Sequence, residues 1–403
     1  MEVILDNNQV SLSNILSTKG EGEIYIIDSY SLVKIYHDRP EIRTRVRKEK
    51  VIALCNSYYN NLTSFGSNAF AFPKTPAYEG NVGLNYLVGF SMQYFKGGLE
   101  LSEIAYDIKA KDFKSTGGIK LSDDEAINFI YKVFELTQKL HDAGIILGDV
   151  NMGNILLLAS TKLPVLVDID SAQFGQYKCV ALTEEYLDPD VEQQGKNLKG
   201  GYTYSTDSDY FALASMLFEF FVGVNPFFLN HDKKGNYGVP ENKAEGICYL
   251  KALHLNQWQI AGANISSSNP INKKIETRIA ELKSKNIKLY EYFVDVLVHR
   301  NKISLMQTLD RSDPRHPAFI FYSTSGFNTA LDKIIRQRQL AEQRKKMQRP
   351  FALPDSGFAK ILNLKQKTTL AERIEETKAL MADPKELTAF IKNYAPQLEH
   401  LIA

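Results

Sequence analysis

The sequence predicts an α+β chain: a small β-rich N-terminal lobe, a larger helical lobe and a helical C-terminal extension. Three observations carry this. Residues 10–36 alternate apolar and polar positions around short turns, the pattern of a twisted antiparallel sheet. Beyond Ser122 the apolar residues recur at helical spacing, first in a long stripe and then in the nearly all-apolar run 211–229. Between them, residues 141–174 hold two short apolar segments bracketed by Asp149, Asn154 and Asp168, a hairpin with polar groups on its approaches. At 403 residues, with 44% hydrophobic and 24% charged, the chain has the length and composition to bury a sizeable core.

Composition also excludes. A net charge of +1 gives no global reason to expect nucleic acid or an anionic membrane as partner. Cys55, Cys179 and Cys248 are scattered without pairing or metal-ligand spacing. That reads as a reducing compartment, with no disulfide framework and no zinc site. The opening MEVILDNNQV lacks a basic region followed by an apolar run, so no signal peptide is expected. The run 211–229 contains Glu219, Asn225 and Pro226, and Gly223-Val224-Asn225-Pro226 ends a helix. Its apolar part, about a dozen residues, suits a buried core helix and not a membrane span. A cytoplasmic location is the expectation.

Taken in order, Val10, Leu12 and Ile15 lead into a turn at Gly20 and Gly22, and Ile24–Ile27 and Tyr30–Tyr36 form the next strands. Lys34 sits in the otherwise apolar Leu32-Val33-Lys34-Ile35. Its plain alternative is a solvent-facing lysine of an edge strand. Residues 40–59 predict a helix with Pro40 in its first turn and Val46, Val51, Leu54 and Tyr58 on its apolar side. Residues 83–99 read as a strand and a turn at Lys96-Gly97-Gly98, and 107–121 as a polar, mobile loop. Ser122 and Glu125 make a capping box for a helix carrying Ile127, Ile130, Tyr131, Phe134 and Leu140, closed by Gly144. Residues 245–323 add helices, 287–298 among them.

Residues 333–349 hold seven Lys/Arg and one Glu, which reads as a solvated tether, with binding to nucleic acid or an acidic partner as the alternative. Asp383-Pro384 then starts a last helix with Leu387, Phe390, Ile391 and Tyr394 on one side. The predicted division is 1–95, 96–331 and 332–403.

From about Leu12 to Phe228 these landmarks resemble the protein-kinase-like phosphotransferases. Leu147-Gly148-Asp149-Val150-Asn151-Met152-Gly153-Asn154 resembles the loop H-R-D-x-x-x-x-N, and Asp168-Ile169-Asp170 resembles D-F-G. Leu32-Val33-Lys34-Ile35 resembles V-A-I-K; Gly20 and Gly22 match the first two glycines of the Gly-rich loop, with Tyr25 at the third. Residues 186–190 look like an altered A-P-E, Ser208–Ala214 like D-x-W-x-x-G, and Gly223–Phe227 like G-x-x-P-F.

The resemblance implies a bilobal kinase-like fold using ATP and Mg²⁺. Lys34 would contact the α and β phosphates, held by Glu49 of the 40–59 helix, with Glu41 as second choice. Gly20 and Gly22 would cover the phosphates with backbone amides. Met92 would be the gatekeeper, and Gln93 and Phe95 would offer backbone groups to the adenine. Asn154 and Asp168 would hold Mg²⁺, and Asp149 would accept the acceptor's proton or orient its hydroxyl. Asp209 is read as structural, a buried carboxylate accepting amides of the catalytic loop.

Three departures shape the expected activity. Gly148 replaces the arginine that binds a phosphorylated activation segment, Asn151 replaces the γ-phosphate lysine, and Asp170 replaces the glycine of D-F-G. The resemblance implies a Ser/Thr protein kinase that does not rely on phosphorylation of Thr183 or Tyr177. It extends to bacterial Ser/Thr kinase-like proteins with a G-D-V-N-x-x-N loop, which tend to accompany a protein phosphatase and a von Willebrand factor A domain protein. A small-molecule phosphotransferase of the aminoglycoside or choline kinase type, toward which Gly148 and Asp170 lean, is one alternative. A nucleotide-binding pseudokinase scaffold is the other.

Overall fold

The computed structural model describes residues 1–18, 20–65, 69–113, 118–195, 202–228, 243–244, 246, 248–254, 259–260, 263–264 and 270–309. The chain divides into two compact units, Met1–Thr308 and Leu309–Ala403. The basic run 333–349, the last helix and the expected boundary at 331 lie outside the described residues.

Seven short strands build the N-terminal lobe: β1 (Glu2–Leu5), β2 (Asn8–Ser11), β3 (Ile15–Ser17), β4 (Gly22–Ile26), β5 (Ser31–Tyr36), β6 (Thr75–Tyr78) and β7 (Leu87–Gln93). They form one antiparallel sheet in the order β2-β1-β6-β7-β5-β4-β3. β5 is therefore interior, which rules out the edge-strand reading of Lys34. The period of two along β5 sorts its side chains onto two faces. Val33 and Ile35 join Val3, Leu12, Tyr25 and Val88 on one face. Leu32 and Tyr36 join Val51, Cys55, Phe90 and Met92 on the other, and Lys34 shares this second face.

That second face is covered by α1 (Arg45–Phe65), which starts five residues later than Pro40 predicts. Thr44 sets the start: its Oγ1 accepts from the Arg47 amide at 3.2 Å, while the Arg39 carbonyl collects the Ile42 and Arg43 amides in a separate turn. Val51 and Leu54 are buried as expected, whereas Val46 is exposed.

The larger lobe begins after β7 with β8 (Gly98–Glu100). Next, the expected mobile loop contains a small hairpin, β9 (Tyr106–Asp107) with β10 (Asp112–Phe113). Phe113 is buried against the Phe220 ring, centroids 5.4 Å apart, which anchors this hairpin to the core. The capping box opens α2 (Asp123–Asp142): Ser122 Oγ accepts from the Glu125 amide, and Glu125 Oε2 accepts from the Ser122 amide at 2.8 Å. Ile127, Ile130, Tyr131, Phe134 and Leu140 are all buried.

Then follow β11 (Ile145–Ile146), β12 (Ile155–Leu158), β13 (Pro164–Leu166) and β14 (Gln173–Phe174), with α3 (Pro189–Gly195) and α4 (Thr206–Val222). α4 is buried nearly all round, and Gly223 ends it at φ +86°. A side chain on Gly223 would also meet the Tyr106 carbonyl, so glycine is required there twice over. Phe220 packs on Phe129 of α2, and Phe218 on Phe293 of the helix Ile287–Leu297. Among the described residues no helix is long and apolar enough to cross a membrane. Asp188, at the altered A-P-E, is buried and paired with Lys302 (2.6 Å) and Arg300 (3.4 Å), which fastens the start of α3 to the 300–302 loop.

Candidate functional site

The hairpin explains why a 14-residue spacing matters. β12 and β13 pair antiparallel with Ile155 opposite Leu166, so the residues flanking the hairpin become neighbours. The Val167 amide donates to the Asn154 carbonyl at 2.9 Å, placing Asn154 beside Asp168. Asn151, which the sequence reading treats as a lost lysine, caps this turn instead. Its Oδ1 accepts from the Gly153 amide at 2.9 Å and the Asn154 amide at 3.2 Å. Asn154 in turn donates Nδ2 to the Asp149 carbonyl at 2.8 Å, which leaves its Oδ1 as the side chain's acceptor.

Asp149 stands on the loop just before this turn. Its Oδ1 accepts from the Thr183 hydroxyl at 2.7 Å. The loop is held from behind by Asp209, fully buried on α4, which accepts from the Leu147 amide (2.7 Å) and the Gly148 amide (2.9 Å). His141 joins it, Nε2 lying 2.8 Å from Asp209 and Nδ1 2.9 Å from the Tyr210 hydroxyl. Sequence reading placed Asp209 but missed His141. Gly148 adopts φ +72°, and a β-carbon there would lie 2.8–2.9 Å from Cys179 and Tyr204.

Lys34 reaches the site from β5. Its ammonium is ion-paired with Asp168 and lies 3.0 and 3.1 Å from the two carboxylate oxygens of Asp170. A buried ammonium is tolerable only with such compensation. Burial pulls the Lys34 pKa down, but the charges of Asp168 and Asp170 outweigh it, and the net shift is upward. Burial also pushes Asp168 above the usual carboxylate range, with Lys34 opposing and Asp170 adding to the rise. Asp170 is pushed up by burial yet ends below the usual carboxylate range, because Lys34 and the Tyr36 hydroxyl hold it ionised. Asp168 sits at φ +59°, a left-handed conformation that aspartate tolerates better than most residues. Such strain clusters at functional sites.

The expected Glu49–Lys34 pair is not present. Glu49 binds Arg45 on the outer side of α1 at 2.8 Å, and Glu41 is exposed in the turn before the helix. Helical periodicity is the reason. The buried stripe Val51, Leu54 and Cys55 turns Arg47 and Lys50 inward, and Glu49 lies about 100° around the axis from Lys50. Arg47 pairs with Glu21 at 2.7 Å, and Lys50 donates to the Ser171 carbonyl at 2.8 Å and the Lys178 carbonyl at 3.3 Å. Sequence reading missed both, although the stripe was its available signal.

Gly20 lies at the tip of the β3–β4 turn at φ +67°, with open space around its α-carbon. Gly22 answers a different need: a β-carbon would lie 2.3 Å from the Ile35 carbonyl of the neighbouring strand. Tyr25, at the third glycine position, pairs with Val33 and shares its face, away from Lys34. It does not fill the space over Lys34. Met92 is buried in the cluster that Phe95 and Val167 border, and the Phe95 carbonyl accepts from the Gly98 amide at 3.0 Å. Gln93 closes β7 opposite Ser31.

Asp168 and Asn154 offer two hard oxygen donors at adjacent positions. Mg²⁺ takes one or two protein oxygens and completes its shell with water and phosphate, so the pair fits that ion. No group of three or more His, Cys, Asp or Glu among the described residues is arranged to hold a metal.

A family model for the protein kinase domain matches residues 91–295, just over half of the chain. No curated protein matches the sequence.

Proposed function

The chain belongs to the protein kinase domain family, and on that premise we propose that it transfers the γ-phosphoryl group of ATP to Ser/Thr hydroxyls of proteins. The observation that carries the reading is the partly buried contact of Lys34 with Asp168, 134 residues apart, beside the loop of Asp149 and Asn154. In this reading the acceptor oxygen forms a bond to the γ-phosphorus while the bond to the bridging β–γ oxygen breaks, releasing ADP. Lys34 neutralises phosphate charge. Asp149 orients the acceptor hydroxyl and takes its proton as the new bond forms. Mg²⁺, held by Asp168 and Asn154, would supply further charge neutralisation at the phosphates. The Thr183 hydroxyl on Asp149 supports an aliphatic alcohol as acceptor, since that carboxylate already accepts from one at 2.7 Å.

Activation-segment phosphorylation is not required in this proposal. Cys179 and Tyr204 fill the space next to Gly148 that the usual arginine needs. Thr183→Ala is a poor test of this point, because it removes a contact to Asp149 whatever the phosphorylation state. The loop's likeness to bacterial Ser/Thr kinase-like proteins supports a cytoplasmic bacterial setting, with a phosphatase and a von Willebrand factor A domain protein as proposed partners.

The test is purified full-length protein with Mg²⁺ and γ-labelled ATP. We expect label on Ser/Thr of protein, falling at least about 100-fold in Asp149→Ala and Asp168→Ala. Pre-treatment with a phosphatase, then removed, is expected to leave the initial rate unchanged. Turnover only with small alcohols, or nucleotide binding without transfer, would contradict the reading.

A further inference from the structure

We propose that Asp170 is the residue that holds Lys34 in its working position, in place of a glutamate on α1, so that the nucleotide site is assembled by the 168–170 turn itself. The inference rests on the kinase reading above. Its starting point is a division between two carboxylates on one tight turn. The turn Ile169–Ser171 is closed by the Ser171 amide and hydroxyl, both donating to the Asp168 carbonyl at 3.1 and 2.9 Å. Asp168 keeps 35% of its side chain exposed; Asp170 keeps 3%. The first can therefore meet a ligand, and the second faces only protein.

What Asp170 faces is specific. Both its oxygens lie within hydrogen-bond reach of the Lys34 ammonium, and Oδ2 also accepts from the Tyr36 hydroxyl at 2.6 Å. Tyr36 and Lys34 leave β5 on the same face, two residues apart, so the strand presents two donors to one carboxylate. Once Asp168 turns to the metal and phosphates, Asp170 remains as the anion that keeps Lys34 extended and charged.

Helix α1 supplies the complement of what the sequence leads one to expect. It turns two cations inward and its glutamate outward. Lys50 grips the backbone of the segment after Asp170, through Ser171 and Lys178. Arg47 reaches Glu21 next to Gly20, and its guanidinium lies 5.4 Å from the Tyr36 ring centre. The polarity of the arrangement is inverted: the acid that fixes the lysine is on the loop, and the helix contributes bases. A displacement of α1 would then loosen Lys50 from Ser171 without separating Lys34 from its anion. An alternative role for Asp170, as a further metal ligand, conflicts with its burial behind Lys34 and Tyr36.

The test uses the full chain and compares Asp170→Asn, Glu49→Ala, Lys34→Met and the double variant Lys34→Met/Asp170→Asn. Thermal unfolding establishes that each is folded. Binding of Mg²⁺ with a non-hydrolysable ATP analogue is followed by calorimetry, and kcat and KM for ATP are measured alongside. We expect Asp170→Asn to lower kcat at least 30-fold and to weaken analogue binding several-fold, with the apparent Mg²⁺ requirement unchanged. Adding Asp170→Asn to Lys34→Met should cost no more than a further 2-fold, since the anion then has no lysine to hold. Glu49→Ala should stay within 2-fold of the wild type.

A Glu49→Ala loss of 10-fold or more would overturn the proposal, and this arm decides the matter if Asp170→Asn does not fold. So would full additivity in the double variant, or a 10-fold higher Mg²⁺ requirement in Asp170→Asn, which would make Asp170 a metal ligand. Absence of nucleotide binding in the wild type would sink the kinase reading as well. Normal wild-type behaviour with an unaffected Asp170→Asn would sink only this inference.

Discussion

Asp209→Ala is expected to destabilise the protein by roughly 4 kcal/mol and to abolish phosphate transfer. The carboxylate is fully buried and accepts from two backbone amides and an imidazole. Truncation leaves those groups without an acceptor in a site that water does not reach, at about 1–3 kcal/mol each. The loop that carries Asp149 loses its fastening at Leu147 and Gly148. For a domain of this size the expected fall in Tm is on the order of 10 °C. Urea unfolding monitored by fluorescence checks the first part, and phosphate transfer at a temperature where the variant is still folded checks the second. Asp209→Asn keeps one acceptor oxygen and should lie between the two. A variant as stable and active as the wild type would mean that the loop is held by something else.

Gly148→Arg, which restores the residue type usual in the family, is expected to damage this protein by about 3–4 kcal/mol. Two effects add. A side chain at φ +72° costs about 1–2 kcal/mol. Its β-carbon would also collide with the Cys179 side chain and the Tyr204 ring, and overpacking of this kind costs about 1–3 kcal/mol. Gly148→Ala carries the same backbone strain and the same β-carbon collision without the atoms beyond it, and should cost about 2–3 kcal/mol. Cys179 offers a local readout. It is fully buried, burial pushes its thiol up to about 12, and the nearby Lys50 ammonium only partly offsets this. A thiol reagent should leave it untouched in the wild type and modify it in either variant. Normal Tm with an unreactive Cys179 would show that the 148 position has more room than the geometry indicates.

The fold was legible wherever one local signal decided it. The Ser122–Glu125 capping box, the apolar run closed by Gly223 and the hairpin between Asn154 and Asp168 each need only neighbouring residues to be read. The start of α1 was misread because Pro40 suits a first helical turn, yet Thr44 supplies the cap that the amides require. At the site, chain order was enough to expect Lys34, Asp149, Asn154 and Asp168 near one another, and the structure brings Lys34 onto Asp168 and Asn154 onto the Asp149 backbone. Partnerships could not. Glu49 was assigned to Lys34 by analogy of element, whereas the facing of α1 is fixed by Val51, Leu54 and Cys55, which turn Lys50 inward. Asp170 looked like a missing glycine because its value lies in a contact 136 residues away, and no local pattern reports such a contact. Asn151 was read for a lost charge when its role is to cap a turn.

The most direct test of the central claim is chemical labelling with an ATP analogue that carries an acyl group on its terminal phosphate, with Mg²⁺ present. Such a reagent acylates the amine lying next to the bound phosphates, and mass spectrometry then identifies the residue. The account expects Lys34 to be modified, excess ATP to protect it, and Asp168→Asn to reduce the labelling sharply. Protection by ATP at some other lysine, with Lys34 unmodified or modified equally with and without ATP, would contradict it.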